Sequence, residues 1–233
     1  MPRQATAENV RIRAGAAYCD GDLRVPERAS GLVIFAHGSG SSRFSSRNRA
    51  VAATLEEAGF GTLLLDLLTP DEAAVDDVTR EYRFDIDLLG QRVIAAADWA
   101  RSRADLERLP LAFFGASTGA AAALIAAAER PRQTRAVISR GGRPDLAGNA
   151  LPRVLAPTLL IVGGNDEPVI DMNRDAMRQM RATVRLEIVP GATHLFEERG
   201  ALEQVSRLAA DWCREHLHAY PPEALDGIGP NEH

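Results

Sequence analysis

The chain has 233 residues, a formal net charge of −5, 45% apolar residues and 25% charged residues. That is the profile of an ordinary globular protein long enough to bury one large core. It excludes the basic face a nucleic-acid binder needs, and no run of about eighteen apolar residues is present to cross a membrane.

The opening Met1-Pro2-Arg3-Gln4-Ala5 has no apolar run of a secretory signal. Val10–Ala17 and Asp22–Val25 read as two strands turning at Asp20-Gly21, a hairpin dipeptide. Gly31–Ala36 is a short continuous apolar run, the mark of a strand covered on both faces. Arg47–Ala58 has helical spacing through Val51 and Leu55, and Gly59 is its stop. Gly61–Leu65 is a second buried strand. The acidic stretch Asp66–Tyr82 reads as a long loop with at most a helical turn. Phe84–Arg103 is a long amphipathic helix. Leu111–Phe114 is a strand, Ser117–Glu129 an Ala-rich helix, and Arg135–Ser139 and Thr158–Val162 are strands. A helix near Asp171–Arg181, a strand over Arg185–Val189 and a helix over Ala201–Leu217 complete the pattern, and the Pro- and Gly-rich segment 221–233 reads as a flexible tail. Alternating strands and helices predict one domain over residues 1–220, an α/β fold whose mostly parallel sheet carries helices on both faces. The stretch between Ser139 and Thr158 is too short and too rich in Gly and Pro for a multi-helix cap domain.

In such sheets ligands bind beyond the carboxyl ends of the strands. Gly115-Ala116-Ser117-Thr118-Gly119 stands there, between an apolar strand and a helix, and matches G-x-S-x-G. That context places Ser117 on a tight turn at a helix N-terminus, where the helix dipole favours developing negative charge. The plainer reading of Ser117 is a helix N-cap. Asp166 follows the next strand but one, and His194 follows the last, so the chain order is Ser, acid, His. In acyl transfer the His takes the hydroxyl proton and the acid orients the His. Glu167 competes with Asp166 for the acid role, and Asp166 could instead cap the following helix. The backbone N–H groups of Thr118 and of Ser39, in His37-Gly38-Ser39-Gly40, are the expected oxyanion donors. The loop is not a P-loop, because the G-K-[ST] lysine is missing.

His37, Gly38, Arg43, Arg140 and Arg143 surround this mouth and are candidate substrate-binding residues, with Arg47 close to Arg43 in sequence. Arginine suits bidentate binding of carboxylate or phosphate, and pairing with acids such as Asp66, Asp145 or Glu167 is the alternative. All 27 basic residues are Arg, which excludes a Schiff-base lysine and reads as the composition bias of a high-GC bacterial genome. Cys19 and Cys213 lie far apart and outside any CxxC pair, as free thiols of a cytoplasmic protein do. No metal-ligand spacing occurs, and no cofactor is implied.

Ala36-His37-Gly38-Ser39-Gly40, Gly115-Ala116-Ser117-Thr118-Gly119, Gly163-Gly164-Asn165-Asp166-Glu167-Pro168-Val169 and Gly191-Ala192-Thr193-His194-Leu195-Phe196 together resemble the motifs of the α/β-hydrolase superfamily. Over roughly residues 10 to 217 the chain is most similar to the dienelactone-hydrolase-like branch. The resemblance implies an α/β-hydrolase fold with about eight strands. It also implies a nucleophile at Ser117, an acid at Asp166, a base at His194 and oxyanion positions at Ser39 and Thr118. Dienelactone hydrolases proper carry a Cys nucleophile where this chain has Ser117. Relatives of this subgroup occur alone or joined to a phosphoribosyltransferase domain, and no such domain is read here. The expected activity is hydrolysis of small carboxylic esters or lactones through an acyl-enzyme, by a monomer or homodimer acting on a small molecule. An acyltransferase, a peptidase or a non-catalytic regulatory domain are the alternatives.

Overall fold

A computed structural model describes residues 6–217; the tail expected at 221–233 lies outside them. Eight strands form one sheet in the order β1-β2-β4-β3-β5-β6-β7-β8. They are β1 (Thr6–Ala14), β2 (Ala17–Val25), β3 (Leu32–Ala36), β4 (Gly61–Leu65), β5 (Leu111–Ala116), β6 (Thr134–Arg140), β7 (Thr158–Gly163) and β8 (Val184–Val189). The strands from β4 through β8 run parallel, and β1 and β2 add an antiparallel edge, with Leu23 of β2 opposite Leu63 of β4. The helices are α1 (Ser46–Glu57), α2 (Pro70–Thr79), α3 (Ile86–Ser102), α4 (Thr118–Glu129), α5 (Glu167–Gln179) and α6 (Ala201–His216).

Every residue of β3, β4, β5 and β7 is buried, as continuous apolar runs predict for strands covered on both faces. Side-chain alternation then splits the core in two. Ile34, Leu63, Phe113 and Val137 face one way and pack with Val93 and Ala97 of α3 and the Ala-rich α4. Phe35, Phe114, Ala136 and Ile138 face the other way and pack with Val51 and Leu55 of α1 and with Val205 and Trp212 of α6. The Phe35 and Phe114 rings lie 4.8 Å apart. Each such side chain contributes about 1.5–3 kcal/mol through burial. The small residues of α4 let it sit close against the sheet.

Two expected elements differ. The first hairpin turns at residues 15–16, and Asp20-Gly21 lies inside β2. Gly21 is there for packing, since a Cβ would lie 3.0 Å from Leu63 Cδ1 and 3.2 Å from Val10 Cγ2. The acidic stretch after Asp66 is helical over ten residues as α2. A reciprocal cap starts it: the Glu72 N–H donates to Thr69 Oγ1, and the Thr69 N–H donates to Glu72 Oε2. Thr69-Pro70-Asp71-Glu72 is a helix-start signature that the high charge of the segment obscured. Between β6 and β7, a 3-10 segment (Pro144–Arg153) kinks at Gly148 and buries Ala147, Ala150 and Leu151 in the α3/α4 side of the core.

Candidate active site

Ser117 joins β5 to α4 with φ 52° and ψ −122°. A non-glycine residue held in that region costs about 1–3 kcal/mol. Three hydrogen bonds over-determine it. The Ser117 N–H donates to the Arg140 carbonyl at 3.2 Å, and the N–H groups of Arg143 and Ala120 donate to the Ser117 carbonyl at 3.0 and 3.1 Å. The flanking glycines are needed for close approach. A Cβ on Gly115 would lie 2.4 Å from Ala120 Cα, and one on Gly119 would lie 2.3 Å from the Ala36 carbonyl oxygen. Ser117 occupies the N-cap position of α4, yet its side chain makes no capping hydrogen bond. The turn presents the half-buried hydroxyl instead of spending it on the helix.

Asp166 stands at the N-cap position of α5 and likewise makes no side-chain cap. Its carboxylate, 14% exposed, accepts from His194 Nδ1 at 2.7 Å, and His194 is 38% exposed. A carboxylate only accepts, so Nδ1 carries the proton and Nε2 is left with its lone pair for a substrate-side proton. The loops after β7 and β8 are sewn together to bring this pair within reach: the Asn165 N–H donates to the Ala192 carbonyl, and Asn165 Nδ2 donates to the Gly191 carbonyl. Thr193, beside His194, donates its N–H to Glu198 Oε2 at 3.0 Å and its hydroxyl to Glu198 Oε1 at 2.6 Å. Those bonds hold the Glu198 carboxyl below its usual pKa. Phe196, buried and at φ 56°, pins the same loop into the core. Glu198 does not stand out in the sequence, because a loop brace has no motif, and Phe196 stands there only as the end of the His194 motif.

Gly38 packs directly over the candidate nucleophile, since a Cβ on it would lie 3.0 Å from Ser117 Cβ. Ser39 Oγ and Thr118 Oγ1 lie 3.1 Å apart, in hydrogen-bond contact, and so tie together the two residues expected to supply oxyanion donors. His37 is buried. Its Nε2 accepts from the Leu67 N–H at 3.0 Å, so Nδ1 is the donor to the Gly38 carbonyl at 2.9 Å. Burial lowers its pKa, while the Gly38 carbonyl and Asp66 pull the other way. His37 is thus a neutral brace. By holding the Gly38 carbonyl it fixes the plane of the Gly38–Ser39 peptide, and with it the direction of the Ser39 N–H. A cavity of about 480 Å³ opens beside this loop, walled by Ser39, Phe44, Leu67, Pro70, Arg83 and Thr118 among others. It is the size of a small-molecule site.

The arginines separate into two kinds. Arg43 donates Nη1 to Asp66 Oδ2, its N–H to Asp66 Oδ1 at 2.6 Å and Nε to Asp22 Oδ1 at 3.2 Å. Arg143 makes a two-pronged pair with Asp145 at 2.9 and 2.7 Å. Both are taken up by acids, and their geometry supports the pairing alternative rather than a free anion clamp. Arg140 is different. It is 7% exposed, and its Nε and Nη1 are buried without a hydrogen-bond partner among the described residues.

Known proteins match this chain closely. Two curated relatives, from two strains of Mycobacterium tuberculosis, carry the provisional name phosphoribosyl transferase. Each is 54% identical over 210 residues, which cover 90% of this chain and 46% of theirs, so the chain spans about half their length. The crystal structure of a dienelactone hydrolase from Anabaena variabilis superposes with a TM-score of 0.91 at 54% identity, over 93% of this chain and all of that one. Carboxyl esterase 2 of the fungus Tuber melanosporum shares the fold at a TM-score of 0.68 and 14% identity, over 93% of this chain and 89% of that one. The dienelactone hydrolase family profile matches residues 17–217. With eight strands in α/β-hydrolase order and a serine elbow at the end of β5, this chain belongs to the dienelactone hydrolase family.

Proposed function

We propose that the protein is a serine hydrolase that cleaves carboxylic esters or lactones of small acyl groups through an acyl-enzyme. The observation that carries this reading is the strained backbone of Ser117, held by three hydrogen bonds beside the loop of Gly38 and Ser39. Strain of this kind persists where it positions a reacting group. Ser117 attacks the carbonyl carbon and gives its proton to His194 Nε2. Asp166 holds the Nδ1–H tautomer and stabilises the imidazolium. The amides of Ser39 and Thr118 receive the oxyanion. His194 then returns the proton to the leaving alkoxide, and water repeats the sequence to release the acid. The site takes a small molecule, needs no metal or cofactor for these steps, and works in the cytoplasm.

The transferase name of the mycobacterial relatives is not carried over, because this chain matches less than half of their length. Labelling with a fluorophosphonate tests the reading. Wild type should acquire one adduct at Ser117 and Ser117→Ala none; an unlabelled wild type that hydrolyses no activated ester refutes it.

A further inference from the structure

Arg140 ends β6, where Ala136, Ile138 and Arg140 alternate onto the α1/α6 side of the sheet. Its carbonyl accepts from the Ser117 N–H, and the next residue, Gly141, lies against His194. The backbone at the end of β6 therefore borders both the candidate nucleophile and the candidate base. Among the described residues no acid forms an ion pair with it, although the other arginines of the mouth have such partners. Burial, with Arg47 as a further repelling charge, brings its pKa down to about 10. Arg47 is itself oddly placed. It sits in the first turn of α1, where the helix dipole disfavours a cation, and that turn holds no acidic residue. Among the described residues its Nε is buried without a hydrogen-bond partner, and Nη1 reaches the exposed Glu197 at 3.3 Å.

An uncompensated buried guanidinium destabilises a fold strongly. With a second guanidinium beside it at a helix N-terminus, that of Arg47, it makes an electrostatic trap for an anion. We infer that Arg140, with Arg47 and the N-terminal turn of α1, forms an oxoanion subsite for a carboxylate or phosphate group of the substrate, at the end of the strand whose carbonyl holds the Ser117 N–H. The inference rests on the hydrolase reading for the word substrate, but not for the binding of the anion. The two guanidiniums less Glu197 leave one net positive charge, which one singly charged group neutralises. Arg43 and Arg143, already paired, take no part.

The test uses the intact protein and its Arg140→Met variant, which keeps the length of the side chain and removes the charge. In wild type, inorganic phosphate or acetate should raise the melting temperature by at least about 2 °C over chloride of equal ionic strength. In Arg140→Met the rise should vanish, and the melting temperature without anion should be higher than that of wild type. Arg47→Ala should reduce the rise. Comparing phosphate with acetate identifies which oxoanion the site prefers. The preference of wild type for a para-nitrophenyl hemisuccinate over the neutral butyrate should fall about tenfold or more in Arg140→Met. An unchanged anion effect in Arg140→Met, a lower melting temperature without anion, or failure of both Arg140→Met and Arg140→Gln to fold overturns the subsite. If the anion effect depends on Arg140 but Ser117 takes no fluorophosphonate and no ester is cleaved, the hydrolase reading fails and the subsite stands. If Ser117 is labelled and the anion effect does not depend on Arg140, the subsite fails alone.

Discussion

Replacing Ser117 separates the strain of the elbow from its chemistry. The Ser117 side chain makes no capping hydrogen bond to α4. Loss of the hydroxyl therefore costs little folding energy. Alanine inherits the positive φ of 52° and its strain, whereas glycine relieves it. The strain is about 1–3 kcal/mol. Glycine gives back about 0.4–1 kcal/mol through the greater freedom of the unfolded chain. Ser117→Gly should thus be more stable than Ser117→Ala by about 1 kcal/mol, a difference of about 2–4 °C in melting temperature for a chain of this size. Both variants should lose ester hydrolysis, by a factor on the order of 10⁶ if the residue acts as triad serines do. Calorimetry of the three proteins, with turnover of para-nitrophenyl acetate, reads both effects. A glycine variant that melts below the alanine variant would refute the claim of stored strain. An alanine variant with more than about a tenth of wild-type turnover would refute the nucleophile, since little would remain for Ser117 to do.

Burial holds the His37 pKa below its ordinary value. Below about pH 6.5 the unfolded chain therefore binds a proton that the folded one refuses. The stability His37 contributes is whole above that pH and is lost as pH falls, with a slope of up to about 1.4 kcal/mol per pH unit. Denaturant titrations between pH 7 and 5 should show a flatter dependence in His37→Asn; equal slopes would sink the neutral-brace assignment. Cys19 is buried and its thiol pushed up to about 11, and burial raises Cys213 further still. Iodoacetamide should leave mass and turnover unchanged near neutral pH, whereas rapid stoichiometric inactivation would place a thiol in the chemistry. In the panel of acyl chains, kcat/KM should favour acetyl to butyryl over chains longer than about eight carbons, because a long chain gains about 0.8 kcal/mol per methylene only against an apolar wall. The cavity beside Ser39 has charged groups in its wall, among them Asp66, Asp76, Arg43 and Arg83, which break up the apolar surface of Phe44, Leu67 and Leu89. A maximum at palmitoyl would mean that α2, with Val75 and Val78 exposed, acts as an apolar cover.

The alternation of buried strands and helices, the position of Ser117 at the end of β5 and the chain order of Ser117, Asp166 and His194 are all legible in the sequence. They depend on local signals: apolar runs of strand length, small residues flanking a turn, and motifs a few residues long. Asp20-Gly21 obeys a local turn rule that packing against Val10 and Leu63 overrides, so the chain turns at residues 15–16 instead. Helix α2 has its capping box written in Thr69 and Glu72, but charge masks its weak apolar stripe in the sequence. Roles that depend on partners distant in sequence were decided only by the tertiary structure. Arg43 meets Asp22 and Asp66, Arg143 meets Asp145, and Arg140 meets no acid among the described residues, although the three look equivalent in a chain whose basic residues are all Arg. The bracing contact of His37 is likewise tertiary, because the strand ends bring the Leu67 amide to its Nε2. Charge and hydrogen-bond partnerships form across the sheet at contact distance, and a one-dimensional pattern carries periodicity but not those distances.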